Sequence, residues 1–208
     1  MKITKPKISK FEDKDLLDAY YEMEFNNYKF SQNINDSLTI RNTTFDSCIF
    51  ENIDFTNITL EDVNIVDTIF NNCDLSNKSF DEKLLGRVEF NNCKMTGVSF
   101  INSSLKDIII NNGTSKYLNF SNAKINNILI KDSDLSESTF QETQIKNIEL
   151  ENSNLYKTEF IKTNLNNIDF SSCDITNTIF DIQSLKGIII DKLQSTDLVG
   201  MLGVKFKD

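Results

Sequence analysis

FNNCDLSNKSFDEKLLGRVEFNNCKMTGVSF, residues 70–100, sets a large apolar side chain at every fifth position: Phe70, Leu75, Phe80, Leu85, Phe90, Met95 and Phe100. Followed outward in both directions, the same frame runs from Ile40 to Ile190, with Ser115 as its one non-apolar member. A period of five fits neither the 3.6 of a helix nor the 2 of a strand. Each unit must therefore be a short extended piece plus a corner, and four units close one square turn.

Sorting the apolar positions by twenty separates them chemically. Phe80, Phe100, Phe120, Phe140, Phe160 and Phe180 form one column; Ile65, Leu85, Leu105, Ile125, Ile145, Leu165 and Leu185 form the next. Side chains one turn apart can stack at the roughly 4.8 Å spacing of neighbouring strands, with backbone hydrogen bonds from turn to turn. Two residues before each centre, alternation points a second side chain inward, and those sites hold small or β-branched residues such as Thr43, Cys48, Ile53, Val63, Cys73, Val88, Cys93 and Ala123. Two residues after the centre, asparagine recurs (Asn42, Asn52, Asn57, Asn72, Asn77, Asn92, Asn102, Asn122, Asn127, Asn147, Asn152, Asn167, Asn177), as a corner requires.

Units such as Asn72-Cys73-Asp74-Leu75-Ser76 and Asp132-Ser133-Asp134-Leu135-Ser136 resemble the A(D/N)LXX unit of pentapeptide-repeat proteins. The resemblance implies an all-β solenoid, a right-handed quadrilateral β-helix, here followed by a short C-terminal α-helix. Three regions are expected: a cap segment with a short helix and first coil over 1–37, the solenoid over 38–190, and a C-terminal helix and strand over 191–208.

The four cysteines all occupy small inward sites and read as free core thiols, although Cys73 and Cys93 lie one turn apart in one column. Histidine is absent and no clustered thiol spacing suggests zinc, so no metal or cofactor is expected. No apolar run is long enough for export or for spanning a membrane, which makes the cytoplasm the default location. The formal charge is −9, and residues 1–37 (six Lys, seven acids) and 191–208 (three of each) account for only −1 of it. The solenoid is an acidic rod.

In the twenty-residue register, Glu51, Asp54, Asp74, Asp132, Asp134, Glu151 and Asp174 gather at one corner, the candidate partner-binding surface. A second acidic corner is diluted by Arg87, Lys106 and Lys146, and a third holds Glu61, Asp62, Asp81, Glu82, Glu142 and Asp181. Three places break the pattern. Gly113, Thr114, Ser115, Lys116 and Tyr117 form a candidate loop, and Lys78 and Lys83 fall on inward sites, where a bulge would let each ammonium reach water. At the start, Ile3, Pro6 and Ile8 and a helix around Asp13 to Glu24 read as a cap on the first coil. At the end, Ser195 is placed to cap a helix whose stripe of Leu198, Met201 and Leu202, continued by Val204 and Phe206, is either to cap the last coil or, as expected here, to join two subunits.

Every Asp, Ser and Thr of the repeat has a structural explanation, and no nucleophile stands beside an evident base, so the chain reads as a non-enzyme. About eight net negative charges disfavour nucleic acid but attract a protein that binds it. The stretch Ser184-Leu185-Lys186-Gly187-Ile188, with Leu202-Gly203-Val204 beyond it, resembles the C-terminus of Qnr-type quinolone-resistance proteins, in particular those of Gram-positive bacteria. That resemblance implies a homodimer joined through its C-terminal helices, imitation of duplex DNA, binding to DNA gyrase and topoisomerase IV, and protection of both from fluoroquinolones. Forms from Gram-negative bacteria carry longer inserted loops important for protecting gyrase, which this chain lacks. The alternative is a structural or scaffolding solenoid with another protein partner, its charge serving solubility.

Overall fold

The corners determine the fold. Of the thirteen asparagines expected there, all but Asn57 and Asn147 have left-handed backbone, with φ between 47° and 68°. Asparagine tolerates this region because its short side chain bonds locally. Each corner turns the chain, and in the computed structural model, which describes residues 2–201 and Val204, the result is a parallel β-solenoid.

The turns stack in a register of twenty: Ile65 pairs with Leu85, Leu85 with Leu105, Leu105 with Ile125 and Ile125 with Ile145. The wall has four faces, named by their inward centres: a first with Phe80 to Phe180, a second with Ile65 to Leu185, a third with Phe50, Phe70 and Phe90, and a fourth with Phe55, Leu75 and Met95. Strands Asn64–Asn71, Leu84–Asn91, Ser104–Asn111 and Lys124–Lys131 each wrap from the second face onto the third. The first and fourth faces are tighter turns joined by single bridges, such as Asp54 to Asp74 and Ser79 to Ser99.

Two phenylalanine ladders fill the interior. From Phe80 to Phe180 the ring centroids are 5.5, 5.1, 4.7, 4.8 and 5.5 Å apart, with planes within 20° of parallel. Phe30, Phe50, Phe70 and Phe90 form the second. Inward threonines are satisfied without water: Thr143, Thr158 and Thr178 each donate to a carbonyl of the preceding turn at 2.7 to 2.8 Å. The four cysteines are free and buried; burial pushes the Cys48 thiol up to about 11, and its hydrogen bond with Cys93, aided by burial, keeps Cys73 protonated.

Several sequence expectations change. The helix around Asp13 to Glu24 is a five-residue 3-10 turn, Leu16–Tyr20, because Glu12–Asp13 and Glu24–Asn26 are drawn into the ladder on either side. Leu16 and Ala19 close the open end of the core. The segment before it does not cap the first coil. It runs along the outside of the third face, where the Lys7 amide donates to Asp67 at 2.9 Å and Lys5 lies 3.9 Å from Glu89. Further along the same face Ile109, an outward side chain, is only 7% exposed.

Lys78 does not send its ammonium out to water. Its ammonium donates to the Ile58 carbonyl at 2.8 Å, a place that in later turns belongs to a backbone amide: Ser99 to Lys78, Asn119 to Val98, Thr139 to Leu118. The first face is consequently split, with Leu38–Arg41 and Ile58–Glu61 paired apart from the bridges that begin at Ser79. Lys83 leaves the interior to meet Asp62 at 2.6 Å.

The frame also slips once. Ser184 takes the inward site that the five-residue count assigns to Gln183, and its hydroxyl accepts from the Thr163 amide at 3.1 Å. Ser195 begins helix α1 (Ser195–Met201), but its hydroxyl donates to the Lys192 carbonyl. Asp191 instead receives the amides of Leu193 and Gln194. The Gln194 side chain, buried, donates to the carbonyls of Phe170 and Cys173 at 2.9 and 2.8 Å and so seals the last turn.

Candidate protein-binding surface

The seven acids come together along one edge, between the third and fourth faces, in three parallel columns. Glu51 and Glu151 bracket a column running through Asn71, Asn91, Asn111 and Lys131. Asp54, Asp74, Lys94, Thr114, Asp134, Asn154 and Asp174 form a second, bridged turn by turn. Asp132 lies between them at a corner, with φ 48°.

The edge is not a continuous acidic stripe. Lys94 pairs with Asp74 at 2.8 Å, Lys116 with Asp134 at 3.3 Å and Lys131 with Glu151 at 3.2 Å. Seven carboxylates against three ammonium groups leave four unmatched. The seven acids fall into two clusters, since Asp74 and Asp134 are three turns, or about 14 Å, apart at 4.8 Å per turn.

Four of the acids have a structural task that accounts for their position. Asp54 accepts from the Thr56 amide at 2.8 Å, Asp74 from Ser76 at 3.0 Å, Asp134 from Ser136 at 3.0 Å and Asp174 from Thr176 at 2.9 Å. Asn154 does the same for Tyr156. Each side chain ties the turn that follows it, an Asx-type bond to the backbone two residues on. The signal was present in the sequence as Asp-x-Ser/Thr, with x the apolar centre. Partial burial opposes ionisation of Asp74 and Asp134, but the adjoining lysine and serine outweigh it and hold both carboxyls below the usual range. Glu51, Asp132 and Glu151 have no such backbone duty: Glu51 and Asp132 accept from the side-chain amides of Asn71 and Asn152.

The loop expected at Gly113, Thr114, Ser115, Lys116 and Tyr117 is an ordinary turn. Thr114 bridges Lys94 and Asp134, and the Ser115 and Tyr117 amides donate to Asp134 and Ser136 carbonyls at 2.8 and 3.0 Å. Two small departures compensate each other: a side chain on Gly113 would meet the Ser115 hydroxyl at 3.0 Å, so the serine occupies the space that glycine vacates.

At the C-terminal end, Leu198 is half-buried against the core of its own chain and Val204 is exposed. Leu202, Phe206 and the Met201 side chain lie outside the described residues. In the last turns before the helix, Ile182 and Leu193 are exposed by 74% and 84%. No helix among the described residues is long and apolar enough to cross a membrane.

A family model described as "Pentapeptide repeat region" matches residues 63–140, and one described as "Pentapeptide repeats (8 copies)" matches 40–77, 133–171 and 153–181. Together they run without a gap from 40 to 181. The chain is a pentapeptide-repeat protein. Among solved structures, a trypsin-treated form of QnrB1, a plasmid-mediated fluoroquinolone resistance protein, is 20% identical over 96% of this chain and 98% of that one, with a TM-score of 0.47. Full-length QnrB1 gives 20% identity, 93% and 95% coverage and a TM-score of 0.45. HetL, a pentapeptide-repeat protein involved in heterocyst differentiation regulation from the cyanobacterium Nostoc sp. strain PCC 7120, is 12% identical over 82% and 90%, with a TM-score of 0.40. No curated protein sequence matches the chain.

Proposed function

We propose that this pentapeptide-repeat protein is a DNA mimic that binds DNA gyrase and topoisomerase IV through its acidic edge and protects them from fluoroquinolones. The observation that supports this most directly is the edge itself, where seven carboxylates, four of them unmatched, lie in three parallel columns on a rigid wall. Stacked acids such as Asp54 and Asp74 stand one turn, about 4.8 Å, apart, against 3.4 Å per phosphate along one DNA strand. A site that holds duplex DNA carries cationic groups at comparable intervals, and a rigid rod meets them without an ordering cost. The exposed Ile182 and Leu193 support an end-to-end dimer at the C-terminal end, which doubles the length of the mimic.

Supercoiling by purified gyrase, inhibited with a fluoroquinolone, tests the reading. Wild-type protein is expected to restore activity. Glu51→Lys with Asp132→Asn and Glu151→Lys, which spares the turn-tying aspartates, is expected to fold normally and to restore nothing. Failure of the wild type to rescue or inhibit gyrase refutes topoisomerase binding, and full rescue by the variant refutes docking through this edge.

A further inference from the structure

Across the rod from the acidic fourth face, the second face carries the opposite charge. From the turn of Leu105 onward its outward positions hold Lys106, Lys124, Lys146 and Lys186, all exposed, and no carboxylate. None of the four forms an ion pair among the described residues, whereas the lysines of the acidic edge are all paired. In a chain of charge −9, four lysines without an ion pair among the described residues thus share one face.

The wall beneath them is open. The ladder of the second face ends at Gln144–Ile145: no backbone–backbone hydrogen bond joins 143–146 to 163–166, and the Thr143 amide donates instead to the Thr163 hydroxyl at 3.3 Å. Two adjoining grooves lie over this gap, one lined by Lys124, Lys146 and Lys162, the other by Lys162, Asn166 and Lys186. Side-chain amides of Gln144 and Asn164 also face them, so the groove walls offer ammonium and amide donors together. That combination recognises carboxylate or phosphate.

Width and spacing select between the two. A face is about three extended residues across, roughly 10 Å. Carboxylates rim it on both sides, Glu142 and Asp181 toward the first face, Glu149 and Asp169 toward the third. A nucleic-acid duplex, whose major groove alone is about 12 Å wide, would press phosphates onto both rims. A single extended polypeptide fits between them. Lys106 and Lys146 stand two turns apart, about 9.6 Å, and Lys186 follows two turns on, set one residue aside by the slip at Ser184. A polyproline II segment repeats on one side every three residues, about 9.3 Å.

We propose that the second face is a docking groove for an acidic segment of a partner protein in polyproline II conformation, with a carboxylate at every third residue. The groove is separate from the acidic edge and does not depend on what that edge binds.

Fluorescence anisotropy with a labelled (Glu-Pro-Pro)5 peptide at low ionic strength tests this on the full chain. Binding is expected, weakening as salt rises, and Lys106→Gln with Lys146→Gln and Lys186→Gln is expected to weaken it about tenfold. Lys94→Gln with Lys131→Gln on the opposite edge should leave it unchanged. No binding by the wild type, or equal binding by the triple variant, overturns the proposal. Tighter binding of a single-stranded oligonucleotide of equal charge assigns the groove to nucleic acid and overturns it too. So does wild-type self-association, seen by sedimentation velocity, that the triple variant abolishes, because the occupant is then a second copy of the chain.

Discussion

Replacing Phe120 by alanine isolates the central ladder. Its ring is fully buried and lies 5.1 Å from Phe100 and 4.7 Å from Phe140, tilted by 6° and 20°. Truncating a buried phenylalanine costs about 3–5 kcal/mol, the spread reflecting how far the site can collapse. Here collapse is restricted, because the Phe120 amide is held by the Thr139 carbonyl and the Thr139 amide by Leu118, each at 2.8 Å, which keeps the turns at their spacing. The cost should therefore fall in the upper half of that range, about 4–5 kcal/mol. At roughly 2–4 °C per kcal/mol for a chain of this size, the melting temperature should drop by about 8–20 °C. Phe180→Ala gives the internal comparison, since Phe180 is half-buried and stacks on one side only, 5.5 Å from Phe160. It should cost about half as much, as nearest-neighbour coupling in a solenoid requires. Urea unfolding of the three proteins measures both differences. A loss below about 1.5 kcal/mol for Phe120→Ala, or a larger loss at Phe180 than at Phe120, would refute the reasoning.

Tyr117 adopts φ 57° at a corner, where a residue with a Cβ is disfavoured by about 1–2 kcal/mol. Tyr117→Gly should raise the urea midpoint by the equivalent of about 1 kcal/mol, its exposed hydrogen bond to Glu137 at 3.1 Å offsetting little; a lowered midpoint would contradict this. Asp62, Asp67, Asp74, Asp134, Asp169 and Asp181 all hold their carboxyls below the ordinary range; for Asp67, burial opposes this and the Arg87 guanidinium and Lys7 amide prevail. A depressed folded value stabilises above the unfolded value of about 3.9, and the contribution is lost as pH falls through the lower folded values. Thermal scans should show a plateau above about pH 4 and falling stability below it, less steep in Asp67→Asn; a flat profile down to pH 2.5 would exclude the effect.

Most of the solenoid is legible in the chain because a repeat of short range leaves few choices. An apolar residue every fifth position, small residues two before and asparagine two after specify the wall, the interior and the corner separately, and each is a local requirement. The same logic explains where the reading went astray. Ser115 and Gly113 each look irregular alone, yet one fills the space left by the other in a normal turn. Asp54, Asp74, Asp134 and Asp174 look like a binding stripe, and their bonds to the following amides show that turn chemistry also selects them. Both facts depend on distances that no single position records.

What the sequence determined by itself was the period, hence the four-sided parallel solenoid, the identity of its columns and the acidity of its skin. Those follow from side-chain alternation and corner geometry, which act within five residues. Only the tertiary structure decided how the ends and faces are finished. The N-terminal arm lies on the third face because Asp67 and Glu89, sixty or more residues away from it, hold Lys7 and Lys5. The first face is split because Lys78 takes a carbonyl one turn below, and the last turn is sealed by Gln194 reaching back to Phe170. Lys106, Lys124 and Lys146 share one face because the wall stacks residues twenty apart. Contacts between distant segments are set by the closed wall, and no local pattern encodes them.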